Sequence, residues 1–165
     1  MSELKPAARR VHAAADALGL EIEVREMTRS TRTAEEAAAA CGCGVAQIVK
    51  SLVFKGRGTD TPYLLVVSGA NRVDEKAVAA NVGEKLERPD AQFVRDVTGY
   101  AIGGIPPFGH AERLETYIDE ALLAHDLVWA AAGTPNALFS VSPAALAEAT
   151  GAAVIAVTPQ PRARP

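Results

Sequence analysis

Apolar and polar positions along the chain follow two different periods, which predict short helices interspersed with short strands. A helical period over 6–18 places Val11, Ala15 and Leu18 on one face, and Gly19 ends that helix. Further helices are predicted after Thr33, Asp74, Pro89-Asp90 and Ser142-Pro143. Alternation and apolar runs predict strands at 21–26, 48–55, 62–68, 85–88, 100–102, 114–118, 127–131, 137–141 and 153–157.

The order of these elements predicts an α+β domain. Strands and helices do not alternate regularly, and several neighbouring strands are spaced as hairpins, which favours one curved, mixed, largely antiparallel sheet flanked by short helices. A doubly wound sheet is the alternative. We expect one domain over 1–157 and a loose tail, rich in proline and arginine, over 158–165.

Composition limits the function classes. The chain has 165 residues, of which 48% are hydrophobic and 22% charged, as in a globular domain. A net charge of -3 argues against binding to duplex DNA, which needs a basic face, although it permits contact with an RNA end. No apolar run reaches the roughly 18 residues of a membrane helix, and the N-terminus does not resemble a signal peptide. We therefore expect a cytoplasmic protein with no membrane partner.

Metal, cofactor and nucleophile chemistry find little support in the motifs. Cys41 and Cys43 are separated by one residue, which suits a disulfide poorly, and no histidine lies at a ligand spacing from them. The chain contains neither a Gly-x-Ser-x-Gly elbow nor a phosphate-binding Gly-x-x-x-x-Gly-Lys-Ser/Thr loop. We expect no metal and no cofactor.

Lys50 is unusual because it stands in an apolar strand. The run from Ile48 is apolar on both faces, which predicts a central strand, and alternation puts Lys50 on the same side as Leu52 and Phe54. An unpaired buried ammonium is costly. Lys50 therefore either lines a cleft and meets a ligand, or packs its aliphatic part while its head reaches water.

The most distinctive stretch is 98–110, which contains four glycines, two prolines, two aromatic residues and His110. The pair Gly103-Gly104 allows close backbone approach, and Pro106-Pro107 stiffens the next turn of the chain. This composition fits a rigid rim whose free N–H groups face a ligand. Residue types alone favour the alternative, a tight corner of a sheet, because turns are far commoner than binding sites.

Three segments together resemble the YbaK/ProX family of trans-editing aminoacyl-tRNA deacylases, which are related to the editing insertion of bacterial prolyl-tRNA synthetases. The segments are the lysine-bearing run 47–54, the glycine- and proline-rich run 98–109, and Ala132-Gly133. They occur in the family's order and at fitting intervals, and the similarity extends over about 6–157. The family's compact α+β fold agrees with the predicted elements.

The resemblance implies hydrolysis of the ester that joins a wrong amino acid to the terminal ribose of a tRNA. By the family pattern Lys50, Gly103 and Gly104 would be catalytic, with Lys50 holding phosphate or ribose oxygens and the glycine amides facing the reacting carbonyl. Arg29 and Arg32 lie in the loop that borders the pocket in the family, where they either meet acceptor-end phosphates or form part of a solvated loop. Predicted substrate-binding residues are also Ser51, Thr98, Gly99, Tyr100, Ile105, Pro106, Phe108, Gly109, His110 and Gly133.

The implied substrate is a tRNA(Pro)-type acceptor end that carries a small amino acid such as cysteine or alanine. An aminoacyl-tRNA synthetase is a further candidate partner. The alternative is a non-catalytic module of the same fold that binds aminoacyl-tRNA or a synthetase. An intact Lys50 and an intact Gly103-Gly104 pair favour the deacylase.

Overall fold

The computed structural model describes residues 4–158 of the chain. Its helices are α1 Pro6–Ala17, α2 Ala34–Cys41, α3 Glu75–Val82, α4 Ala91–Thr98 and α5 Pro143–Thr150. Its strands are β1 Val24–Glu26, β2 Val49–Gly56, β3 Pro62–Ser68, β4 Leu86–Glu87, β5 Glu115–Asp119, β6 Val128–Ala131, β7 Ala137–Val141 and β8 Ala153–Ile155. Short 3-10 turns precede β2 at Val45–Gln47 and follow β5 at Glu120–Ala124.

The strands form two sheets. One is antiparallel with the order β1-β7-β6, and the other is mixed with the order β4-β2-β3-β5-β8, in which β3, β5 and β8 run parallel. The remaining pairings are antiparallel. An isolated bridge between Ile48 and Trp129 connects the two sheets. The α+β class and the largely antiparallel pairing are confirmed, whereas the single sheet that we expected is divided in two.

Helix ends lie close to where their capping residues predicted them. Thr33 and Glu36 form a reciprocal capping box at the start of α2. The side chains of Asp74, Asp90 and Ser142 accept backbone N–H bonds at the starts of α3, α4 and α5. Glycines with positive φ follow the four helices α2 to α5, at Gly42, Gly83, Gly99 and Gly151.

The central strand of the larger sheet is β3 rather than β2. Leu64 and Val66 of β3 pack into one hydrophobic cluster, while Leu65 and Val67 pack into a second cluster on the opposite face. Each of these side chains is at most 1% exposed, so each contributes about 1.5–3 kcal/mol of transfer free energy. The strand β3 therefore holds the two hydrophobic layers together.

The expectation that β2 is a central strand is only partly met. Along its whole length β2 pairs with β3, but its other edge pairs with β4 only at Lys55 and Gly56. Just upstream of β2, Ile48 forms the isolated bridge to Trp129 of β6. Within residues 4–158, the edge of β2 between these two contacts has no strand partner, and this opening positions the candidate site.

The predicted strand at 100–102 is absent, because the stretch after α4 forms a loop. Gly99 adopts φ +81° at the end of α4, and Gly103 adopts φ +99°. The hydroxyl of the buried Thr98 accepts the Tyr100 N–H at 3.0 Å, which turns the chain away from any extended course.

The predicted tail falls largely on residues 159–165, which lie outside the described range, so the division at 157 stays a prediction. No helix in the described range is long and apolar enough to cross a membrane. That range also contains no group of three or more histidine, cysteine, aspartate or glutamate side chains that could hold a metal ion.

Candidate functional site

A cavity of about 410 Å³ opens along the unpaired edge of β2. Its walls come from the start of α2, the segment after β4, the loop after α4, and strands β6 and β7. Most of the lining is apolar. The lining residues are Thr31, Arg32, Thr33, Ala34, Ala37, Ile48, Val49, Lys50, Ser51, Leu52, Val53, Phe54, Arg88, Pro89, Val94, Ile102, Gly103, Ile105, Ala131 and Leu138.

Lys50 lies in this lining and is half-buried. Its Nζ donates a hydrogen bond of 2.6 Å to the backbone carbonyl of Asn71. Burial lowers the pKa of the Lys50 ammonium, the negative charges of Glu35 and Asp119 raise it, and the positive charge of Arg72 lowers it. The side chain is thus held at the cavity by a neutral acceptor and retains two further N–H donors for a ligand.

Gly103 lines the same cavity, and its neighbour Gly104 lies behind it. The carbonyl of Gly104 accepts the Gly133 N–H at 2.9 Å, and its own N–H donates to the Ala101 carbonyl at 3.1 Å. The Gly104 amide is therefore already used inside the protein. Within residues 4–158 the Gly103 amide has no acceptor, so of these two amides it is the one free to meet a ligand.

Gly104 and Gly133 are small because two backbone segments touch there. A Cβ on Gly104 would lie 2.8 Å from the carbonyl carbon and oxygen of Gly133, and a Cβ on Gly133 would lie 2.8 Å from the Ala7 carbonyl oxygen. Neither position has room for a side chain. The pair holds the loop after α4 against the β6–β7 turn and α1, and this contact keeps Gly103 at the cavity.

Thr98, Gly99 and Tyr100 do not line the cavity. The hydroxyl of Thr98 donates to the Val94 carbonyl at 2.7 Å. Arg10 donates to the Gly99 carbonyl at 2.9 Å, and its guanidinium stacks over the Tyr100 ring at 4.6 Å from the centroid. These contacts fix the start of the loop. A direct substrate contact for the three residues stays a prediction.

Pro106, Phe108, Gly109 and His110 also lie outside the lining. Pro106 and Phe108 are buried, and the Phe108 ring packs on Phe139 with centroids 5.5 Å apart. A Cβ on Gly109 would lie 2.6 Å from the Ala14 side chain. These contacts attach the second half of the loop to the core, so they support the cavity wall from behind.

His110 offers a test of this supporting role. Its Nε2 lies 2.8 Å from the Pro106 carbonyl, and burial lowers the pKa of its imidazole although that hydrogen bond raises it. Because the pKa of folded His110 lies below the unfolded value of about 6.5, burial of the neutral imidazole stabilises the fold fully above that value. This stability is lost as the pH falls from there through the folded-state pKa.

We expect His110→Gln to lose less stability than the wild type between about pH 7.5 and pH 5, because it removes this titration. Urea unfolding midpoints across that range measure the difference. The wild-type protein measured in parallel is the reference. A His110→Gln slope equal to that of the wild type would show that burial of His110 does not govern the pH response.

Of the other predicted positions, Ser51, Ile105 and Arg32 line the cavity, whereas the exposed Arg29 does not. The aliphatic part of Arg32 passes Gly103, since a Cβ built on Gly103 would lie 3.1 Å from the Cγ of Arg32. Arg32 and Gly103 therefore form one part of the cavity rim.

Sequence reasoning missed Arg88, which lines the cavity next to Phe54. Its guanidinium lies 5.6 Å from the Phe54 centroid and 3.8 Å from a Glu75 carboxylate oxygen. Nothing in the sequence marks it, because an arginine after a short strand is common. It gives the cavity a second exposed cation besides Arg32.

The two cysteines lie apart from this cavity lining and are free thiols. Burial, with the nearby Cys43, raises the pKa of Cys41 to about 11, and burial raises the pKa of Cys43. Neither thiol is therefore activated as a nucleophile. The polar groups that line the cavity are instead an ammonium, a free amide, two guanidinium groups and the hydroxyls of Thr31, Thr33 and Ser51.

Comparison with known proteins finds similar proteins over most of the chain. The family model described as the aminoacyl-tRNA editing domain matches residues 28–149, which include Lys50 and the loop after α4. The uncharacterized protein YwhH of Bacillus subtilis (strain 168) is 35% identical over 128 residues, covering 78% of this chain and 81% of its own.

Two crystal structures are similar over nearly the whole chain. One, described as a candidate trans-editing enzyme for prolyl tRNA synthetase, is 47% identical with a TM-score of 0.90 and covers 96% of this chain and 100% of its own. The other, described only as a hypothetical protein, is 33% identical with a TM-score of 0.84 and covers 90% and 98%. The chain belongs to the aminoacyl-tRNA editing domain family, which confirms the YbaK-like resemblance of its sequence.

Proposed function

We propose that this protein hydrolyses mischarged aminoacyl-tRNA in trans. The observation that carries the proposal is the placement of the Lys50 ammonium and the unpaired Gly103 amide in the lining of one cavity of about 410 Å³. An aminoacyl ester is already reactive. A site that orients it and stabilises developing negative charge needs no strong nucleophile of its own.

The reaction consumes one water. The water oxygen attacks the ester carbonyl carbon and loses a proton, and the carbonyl oxygen gains negative charge. The bond to the ribose oxygen then breaks, and that oxygen takes up a proton. The products are the free amino acid and a tRNA with a free terminal hydroxyl. In this scheme the Gly103 amide donates to the developing oxyanion, and the Lys50 ammonium donates to ribose or phosphate oxygens and fixes the ester.

The apolar wall favours a small, uncharged amino acid. Ala37, Ile48 and Leu138 are buried, and the charged side chains in the lining are Lys50 and two exposed arginines. A basic amino acid would meet only cations in this lining, and a charged side chain of either sign that lies against Ala37, Ile48 and Leu138 would be buried without a partner. Cysteine or alanine on tRNA(Pro) is the substrate we propose, with support from the related structure described as acting for prolyl-tRNA synthetase.

Arg32 and Arg88 are exposed cations in the cavity lining, and we assign them to the phosphates of the acceptor end. Arg29 belongs to the same loop as Arg32 and is a further candidate for this contact. A local cationic rim suits an RNA end better than a duplex, because the net charge of the chain is -3. This substrate implies work in the cytoplasm, and a synthetase as partner stays part of the proposal.

Arg88→Ala is expected to raise the KM for aminoacyl-tRNA several-fold with little change in kcat, because a phosphate contact contributes to binding and not to bond breaking. The slope of log KM against log salt concentration should also decrease by about one, because one phosphate contact is lost. Deacylation measured at several salt concentrations tests both effects. Arg113→Ala, at an exposed arginine outside the cavity lining, is the control. Equal KM values for the two variants would contradict the assignment.

The function itself is tested with a panel of charged tRNAs. We expect the protein to speed the loss of Ala or Cys from tRNA(Pro) well beyond the uncatalysed rate and to leave Pro-tRNA(Pro) intact. Release of labelled amino acid is the measurement. Binding of charged tRNA without faster release of any amino acid would instead support the alternative, a non-catalytic binding module.

A further inference from the structure

Asp119 is a buried carboxylate that the proposed chemistry leaves without a role. It ends β5 and is 1% exposed. Its Oδ1 accepts the Ala121 N–H at 2.9 Å, and its Oδ2 accepts the Ser68 N–H at 3.1 Å and the Asn71 side-chain amide at 2.9 Å. Within residues 4–158 it forms no ion pair with lysine, arginine or histidine. A buried carboxylate held by N–H groups alone is uncommon, because burial of a charge is costly.

The two oxygens of this carboxylate serve different segments. Oδ1 caps the 3-10 turn after β5, a common structural use. Oδ2 reaches across to the turn 68–71, where it holds the N–H of the first residue and the side chain of the last. That turn is closed by an Asn71 N–H bond to the Ser68 carbonyl at 2.9 Å.

The same turn carries the acceptor that holds Lys50. The Asn71 carbonyl receives the Lys50 Nζ at 2.6 Å, so Asp119 is linked to the ammonium through one residue. We propose that Asp119 is a positioning residue that fixes the Asn71 carbonyl and thereby holds the Lys50 ammonium at the cavity. The proposal rests on the proposed function only where it assigns Lys50 a part in deacylation.

Charge supplies a second link between the two side chains. Three charged groups act on Lys50: Glu35 from α2, Arg72 from the segment after the turn, and Asp119 from β5. The negative charge of Asp119 favours the protonated lysine. Removal of this negative charge should lower the pKa of Lys50, because the positive charge of Arg72 is then less compensated. A larger fraction of Lys50 would then be the neutral amine.

The test uses the whole protein and Asp119→Asn. Competitive labelling with trace acetic anhydride near pH 8, mapped by mass spectrometry, reports the reactivity of Lys50 relative to Lys55. We expect the ratio to rise about threefold, because the amine is less protonated and less firmly held. We expect kcat for deacylation to fall about tenfold with a smaller change in KM, because a misplaced Lys50 no longer orients the ester.

Asn71→Ala separates positioning from folding, because it removes only one of the two links between Asp119 and the turn. It should change the labelling ratio in the same direction and to a smaller extent. Asp126→Asn, at an exposed aspartate, is the control and should change neither readout. If the circular dichroism signal shows that Asp119→Asn does not fold, the labelling and kcat of Asn71→Ala alone test the proposal.

Lys50 labelling that stays at the wild-type ratio in the folded variants overturns the proposal, whatever their deacylation. Altered labelling with unchanged kcat also overturns it, since Lys50 would then need no positioning. A wild-type protein that shows no deacylation leaves the labelling result readable. That outcome contradicts the proposed function and not the link from Asp119 to Lys50.

Discussion

Replacing Lys50 with alanine is expected to reduce deacylation of the preferred substrate by about 10²-fold, because the ester is then no longer held in its reactive position. The fold should persist. Lys50 is half-buried, and loss of its charged hydrogen bond to the Asn71 carbonyl costs at most about 1.5–3 kcal/mol of folding free energy. Single-turnover deacylation, with an unfolding midpoint as the check on stability, measures the two effects separately.

Lys50→Arg distinguishes the ways in which the lysine can act. An arginine keeps the positive charge but cannot give up a proton, and its planar group is larger than an ammonium. If Lys50 acts as a fixed cation, Lys50→Arg retains more activity than Lys50→Ala. If Lys50 acts as a base, the two variants are equally inactive.

Lys55→Ala is the matched control, because this lysine lies on the same strand and pairs with Asp60 at 3.5 Å and Glu87 at 3.8 Å, away from the cavity lining. It should retain wild-type activity. Wild-type rates in Lys50→Ala would remove this residue from the mechanism.

Local chemistry explains why most of the fold could be predicted from the sequence. The Thr33–Glu36 capping box and the glycines that end four helices act within a few residues, so their signals are complete in the sequence. Lys50 was conspicuous for the same reason, as a cation in an apolar run. In each of these cases the determinants are neighbours along the chain.

Features that depend on distant segments could not be predicted in this way. The open edge of β2 exists because β4 is short and pairs only at Lys55 and Gly56. The loop at 100–102 has the residues of a strand, but Thr98 and the contact between Gly104 and Gly133 give it another course. The hydrophobic period of a segment carries no information about its contacts with distant segments.

The candidate site residues show the same difference between local and distant determinants. Residue types singled out Lys50 and Gly103, both of which line the cavity. The same reasoning did not separate Gly103, whose amide is free, from Gly104, whose amide donates to Ala101. The link from Asp119 to the turn 68–71 escaped notice because its partners there, Ser68 and Asn71, lie about fifty residues upstream. An acid at the end of a buried strand is the signal that could have identified it.

Gly104→Ala is expected to destabilise the protein and to reduce deacylation strongly, because the added methyl group has no space. Gly104 does not have a positive φ, so backbone strain is not the cause. Its Cβ would lie 2.8 Å from the Gly133 carbonyl group and 2.9 Å from the Thr134 nitrogen. These are backbone atoms that cannot rotate aside, so the loop must move away from the β6–β7 turn.

Overpacking of this kind costs about 1–3 kcal/mol of unfolding free energy. The same movement carries Gly103 and its free amide away from the cavity, so activity should fall by about 10²-fold even at temperatures where the variant stays folded. Urea denaturation and single-turnover deacylation at low temperature measure the two consequences. Comparison of the loss of unfolding free energy with the loss of activity shows how closely the function depends on the position of the loop.

Gly44→Ala is the matched control, because that glycine also lacks a positive φ and its Cβ would meet only the Gln47 side chain at 3.9 Å. It should retain both stability and activity. If Gly104→Ala were as stable and as active as Gly44→Ala, the close contact with Gly133 would not hold Gly103 at the cavity. Loss of activity with unchanged stability would mean instead that the loop yields easily, and that the position of the Gly103 amide alone limits the reaction.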